Sequence, residues 1–193
     1  MQSPEEDLFT PTVWHDLLIQ IARRSIEHGL DDSGPLQVDA AGFPPSLQEY
    51  KPCFVTLKIK AQLRGCMGDL DAKRPLVRNI AANAYAAAFK DPRFPPLIRE
   101  EYPEIKLHIS ILSSATVIDF SSEEDLLCQL RPGIDGLIIE STGHRATFLP
   151  AVWGSLPDPR EFLKHLKHKA GLSELHGAIE LKAWRYTAES FSE

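Results

Sequence analysis

The sequence predicts an antiparallel α+β fold in a single domain spanning residues 1–193. Three observations carry this expectation. Short alternating segments come as two adjacent pairs, which reads as hairpins rather than as parallel strands joined by helical crossovers. Helical periodicity is confined to stretches between and after those pairs. With 193 residues, 43% of them hydrophobic and 25% charged, the chain has the make-up of one soluble globular domain able to bury a sizeable core.

Taken in order, residues 1–10 are an acidic lead expected to be flexible. Trp14, Leu17, Leu18, Ile21, Ala22 and Ile26 then recur at helical spacing behind the candidate caps Thr10 and Thr12, and Gly29 suits the helix end. The Gly- and Pro-rich stretch from Asp31 to Pro52 reads as a long loop. Cys53–Ile59 and Gln62–Gly68 read as a hairpin. A three-residue loop, Lys60-Ala61-Gln62, would set Ile59 opposite Leu63, Lys58 opposite Arg64, Leu57 opposite Gly65, Thr56 opposite Cys66 and Val55 opposite Met67. A two-residue loop would instead put Arg64 among Val55, Leu57 and Ile59, burying its charge.

Pro75 opens an Ala-rich helix that must stop before Asp91-Pro92-Arg93-Phe94-Pro95-Pro96, because the prolines enforce a stiff, extended connection. Ile105, Leu107, Ile109 and Ile111 alternate with polar residues as a strand, and a short helix follows Ser121 or Ser122. Gly136–Glu140 and Arg145–Leu149 form the second hairpin, with Glu140 facing Arg145. Phe162, Leu163, Leu166 and Ala170 mark a helix ended by Gly171, and a final strand falls near 178–185.

The same residues exclude several function classes. A formal charge of -6 argues against binding nucleic acid through a broad basic surface. No apolar run approaches the roughly 18–20 residues of a membrane span, and the acidic start is unlike a signal peptide, so a cytoplasmic location without membrane attachment is expected. Cys53, Cys66 and Cys128 are an odd count without a CxxC, which implies neither a disulfide framework nor a zinc knuckle. His165 and His168 lie among Lys164, Lys167 and Lys169, a solvated cationic strip rather than a metal grip. With no P-loop, dinucleotide fingerprint, HExxH or EF-hand loop, neither a metal nor another cofactor is expected.

The sharpest local feature is Leu63-Arg64-Gly65-Cys66-Met67-Gly68. Arg64 and Cys66 share a strand face, where the guanidinium favours a thiolate nucleophile, and Lys58 across the hairpin adds a second cation. Gly65 and Gly68 would open the backbone to a ligand. His108 is the candidate base for Cys66, Ser110 shares its polar face, and Arg93 is expected to reach the site while Asp91 closes the preceding helix. Cys66 is expected to be the only accessible, reactive cysteine, with Cys53 on the apolar hairpin face and Cys128 in a Leu-rich helix. The alternative is a structural cysteine at a bulge, the two glycines serving only the bend.

These blocks resemble the AMME syndrome candidate protein family, whose prokaryotic members are called AmmeMemoRadiSam system protein A. The resemblance rests on Cys53-Phe54-Val55-Thr56-Leu57, the Arg64-Gly65-Cys66 segment, Asp91–Pro96, Ile109–Ser113, Gly136–Ile139, Ala146–Pro150 and Lys169–Leu172, in that order. It implies a bilobed α+β domain with a cleft near the Arg-Gly-Cys segment. It also implies Memo-type and radical SAM proteins as partners, either for a Cys66-dependent modifying enzyme or for a noncatalytic protein- or peptide-binding adaptor, and leaves the reaction and oligomeric state open. Asp135, Ala151 and Lys167 stand where many family members carry His, Gln and Cys.

Overall fold

The computed structural model describes residues 11–31, 34–172 and 181–193. It is a mixed α/β structure with two antiparallel four-stranded sheets, and the chain divides into two compact units. The first comprises Met1–Ile111 together with Glu189–Glu193, the second Leu112–Ala188.

In the first unit the helix α1 (Pro11–Leu30) and the helix α3 (Leu76–Phe89) lie against each other. Helix α3 also covers the inner face of the strands β1 (Cys53–Ile59) and β2 (Gln62–Asp69). Thr12 falls inside α1, so it is not its cap, and Thr10 lies outside the described residues. Gly29 also falls inside α1. A Cβ there would sit 2.3 Å from Cε2 of Phe89, so glycine at this position allows close helix packing rather than ending the helix. The 31–52 connection is a loop broken by a 3-10 turn at Ala40–Gly42 and the single-turn helix α2 (Pro45–Gln48).

Strand β3 (Ile105–Leu112) pairs with β1, and β8 (Ala188–Ser192) completes the order β2-β1-β3-β8. Cys53, Val55, Leu57, Ile105, Leu107 and Ile109 are all 0% exposed and form the apolar floor of this unit's core. Strict alternation then directs Phe54, Thr56, Lys58, Lys106, His108 and Ser110 to the opposite, polar face.

The hairpin corrects the expected turn while keeping most of the register. Its loop has two residues, Lys60 and Ala61, both in the left-handed region at φ 50° and 67°. Val55 faces Met67, Thr56 faces Cys66 and Leu57 faces Gly65 as expected, but Lys58 faces Leu63 and Ile59 faces Gln62. The register shifts between Leu57 and Lys58, which makes Arg64 the extra residue of a β-bulge. A short turn and an arginine kept off the apolar face, incompatible in a regular ladder, thus coexist. Leu63, displaced from the apolar face, is 42% exposed.

The second unit has the sheet order β4-β7-β5-β6. Its strands are β4 (Thr116–Ile118), β5 (Gly136–Ser141), β6 (His144–Phe148) and β7 (Lys182–Tyr186). Glu140 faces Arg145 as predicted, across a two-residue turn whose Thr142 and Gly143 have φ 47° and 82°. Helix α4 (Glu123–Gln129) is capped by Ser122, whose side chain accepts from the Asp125 N–H. Helix α5 (Pro159–Lys169) is capped by Asp158, and Gly171 follows its end at φ 73°. Phe162 anchors this core, with Trp153 stacked on it at 3.8 Å between ring centroids. The expected final strand begins at Lys182, and residues 178–180 of that expectation lie outside the described residues.

Candidate functional site

The Arg-Gly-Cys segment lies on β2, an edge strand, and its side chains part company there. Cys66 is half-buried on the polar face and belongs to a cross-strand row, Cys66 opposite Thr56 and Thr56 opposite His108. The Thr56 hydroxyl donates to Cys66 Sγ at 3.2 Å. Two strand spacings of about 4.8 Å separate Cys66 from His108, with Thr56 between them. The two are therefore not the direct acid–base pair the sequence suggested. Burial, aided by the charge of Lys58, lowers the His108 pKa and favours the neutral ring. Its Nε2 lies 3.5 Å from Ser110 Oγ, a long contact, and Ser110 is itself buried with its hydroxyl 2.9 Å from Ser190 Oγ.

Arg64, expected to serve the thiol, and Arg93, expected to reach the site, are both held by carboxylates. Arg64, directed away by the bulge, donates from Nε and Nη2 to the two oxygens of Glu101, each at 2.8 Å. This bidentate pair raises the Arg64 pKa and, with the Ile98 N–H as a further donor, lowers that of Glu101. Glu101 was not singled out from sequence. The one signal for it is indirect: an arginine with a side chain only 11% exposed needs a counter-charge, and the stiff segment after α3 is the nearby source.

Asp91 and Arg93 instead bracket the Cys66 backbone. Asp91 Oδ2 accepts the Cys66 N–H at 2.9 Å, and Arg93 Nη2 donates to the Cys66 carbonyl at 3.3 Å. The two side chains also bind each other, Nε to Oδ1 at 2.9 Å and Nη2 to Oδ2 at 2.7 Å. Asp91 therefore does not close α3, whose cap is Lys90. Arg93, foremost among several hydrogen bonds, holds the Asp91 carboxyl well below the usual carboxylate range despite its burial. The pair satisfies the outward N–H and C=O of an edge strand as a neighbouring strand would.

Neither glycine opens the backbone to a ligand. A Cβ on Gly65 would meet the Ala87 carbonyl oxygen at 2.1 Å, so this glycine lets α3 lie on the sheet. A Cβ on Gly68 would collide with Cys53 O and the Phe54 ring, both at 2.4 Å. A groove of about 290 Å³ at the hairpin tip is lined by Ile59, Lys60, Gln62, Leu63, Arg64 and Glu101, with neither Cys66 nor either glycine in its lining. Cys128 is exposed, so Cys66 is not the only accessible thiol, while Cys53 is buried with its thiol pushed up to about 12.

The AMMECR1 family model matches residues 19–191. The chain belongs to the AMMECR1 family. A protein of Methanothermobacter thermautotrophicus is 36% identical, covering 91% of this chain and 92% of its own length. Protein PF1979 of Pyrococcus furiosus is 35% identical over 93% of this chain and 88% of its own. The crystal structure of the uncharacterized protein PH0010 from Pyrococcus horikoshii superposes with a TM-score of 0.83 at 33% identity, covering 93% of this chain and 91% of that one.

Within this AMMECR1 chain, Asp135 is fully buried. It accepts from the Arg131 backbone N–H at 3.0 Å and from Arg131 Nη2 at 2.6 Å, while the Trp153 indole N–H donates to its carbonyl at 2.7 Å. Ala151 is exposed, and Lys167 pairs with Glu123. All three residues thus sit in local structural roles of the second unit or at its surface.

Proposed function

We propose that this AMMECR1 chain is a noncatalytic binding component of an AmmeMemoRadiSam-type system. Its working surface is the polar face of the first unit's sheet, and Memo-type and radical SAM proteins are its partners. The observation that carries this reading is the commitment of Arg64 to Glu101. Thiolate chemistry at Cys66 calls for a cation or a base at the sulfur; Arg64 is turned away onto Glu101 and His108 lies beyond Thr56, which leaves, among the described residues, only Lys58, beside Thr56 on the same face, and Arg93, whose guanidinium is bound to Asp91. The cysteine reading keeps one specific support, the Thr56 hydroxyl that donates to Cys66 Sγ.

Co-expression of the chain with the Memo-type and radical SAM proteins of one genome separates the two readings. Capture of either partner by wild type and by Cys66→Ser, with the system's product formed in both cases, supports the binding component. Retained capture with loss of product in Cys66→Ser overturns it in favour of the cysteine enzyme.

A further inference from the structure

One pairing on the polar face breaks a rule of sheet stability. Lys58 on β1 stands directly opposite Lys106 on β3. Directly opposed residues on antiparallel strands have Cα atoms about 4.5–5.5 Å apart, and like charges at that position destabilise the sheet. Both side chains are exposed, and among the described residues neither lysine has an ion-pair partner. The nearby Lys60 differs, lying 3.5 Å from Glu104. The unrelieved pair adjoins His108 and Thr56, and the charge of Lys58 helps to keep His108 neutral.

Resting on the reading of this face as the binding surface, we infer that Lys58 and Lys106 form an oxyanion site for the phosphate or carboxylate group of a ligand. An oxyanion between the ammonium groups converts their mutual repulsion into two charge-assisted hydrogen bonds. His108 and the Thr56 hydroxyl, next along the same face, offer polar contacts to the remainder of the ligand. Lysine suits such a site because it acts as a compact, reorientable point charge.

Calorimetric titration of the full chain with inorganic phosphate and with citrate, each against sodium chloride at matched ionic strength, tests the site. Saturable binding of either anion above the chloride baseline is expected. Lys58→Gln and Lys106→Gln should each weaken it about tenfold, and Lys60→Gln less than about twofold. A preference for phosphate assigns a phosphate-bearing ligand, and a preference for citrate a carboxylate. Lys106→Gln should melt no lower than wild type, since it removes a like-charge contact, so lost binding cannot be ascribed to unfolding. Binding no stronger than chloride, or binding unchanged in both variants, overturns the inference. Partner capture by the Lys58→Gln/Lys106→Gln double variant keeps the two proposals distinguishable. Capture without anion binding in wild type removes only the oxyanion site, whereas anion binding without any capture removes only the partner reading.

Discussion

At the scale of single residues, environment divides three chemically identical thiols. Cys53 is fully buried, with its side chain against Asn83, and deprotonation is suppressed by burial. Cys66 is half-buried and Cys128 exposed. Timed iodoacetamide labelling with peptide mass spectrometry should modify Cys128 and Cys66 in the native chain and Cys53 only on unfolding. Native labelling of Cys53 at the rate of Cys128 would contradict the burial argument. Asp91 makes a second residue-level prediction. Its folded-state pKa lies below the unfolded value of about 3.9, so its contribution to stability is complete above about pH 4 and is lost as pH falls further. Asp91→Asn should cost about 1–3 kcal/mol at neutral pH and flatten the acid limb of the stability profile, as urea titrations across pH will show. How much of this was legible in sequence follows from what alternation encodes. It places Cys66, Thr56, His108 and Lys58 on one face. It carries no record of the Glu101 carboxylate, which arrives from 37 residues away, nor of Asp91 turning back onto Cys66.

At the scale of elements, the β1–β2 hairpin shows where pattern reading stops. Hydrophobic alternation locates Val55–Met67 and Leu57–Gly65 but says nothing about a bulge, which breaks the alternation and takes Leu63 off the apolar face. Lys60-Ala61 also lacks the Asn or Gly that announces a tight turn, so the turn forms against local preference. Ala61→Gly should therefore raise stability by about 0.5–1 kcal/mol, since a left-handed alanine costs about 1–2 kcal/mol and glycine's extra chain entropy returns part of that. Gly65→Ala should do the opposite. Its Cβ meets backbone, not a flexible side chain, so α3 must move and the loss should reach about 3 kcal/mol or more. Equilibrium denaturation of both variants checks the pair, and a neutral Gly65→Ala would refute the close α3–β2 approach.

At the scale of the whole molecule, the second unit is a continuous stretch, Leu112–Ala188, inserted between β3 and β8 of the first unit's sheet. No helix among the described residues is long and apolar enough to cross a membrane. Strand β8 is tied to the first unit by His15, which bonds Glu189 at 2.7 Å and stacks on Phe191 at 3.9 Å, and by Arg23, which grips Glu193. Periodicity does not single out β8, because Ala188–Ser192 is short and mostly polar, with Phe191 its one large apolar contact to the core. Removing residues 189–193 should lower the first unit's stability by about 1–3 kcal/mol and speed amide exchange along β3. Unchanged exchange there would mean that β8 is not needed by the sheet.

Arg64, although it shares the Arg-Gly-Cys segment with Cys66, serves the fold and not the thiol. The rate of Cys66 alkylation against pH, compared between wild type and Arg64→Gln, tests this most directly. With Arg64 bound to Glu101, the two profiles should coincide while the variant melts lower. An Arg64→Gln chain that stays folded yet alkylates more slowly at Cys66 near neutral pH would show that the guanidinium does support the thiolate, and would return the protein to the cysteine-enzyme reading.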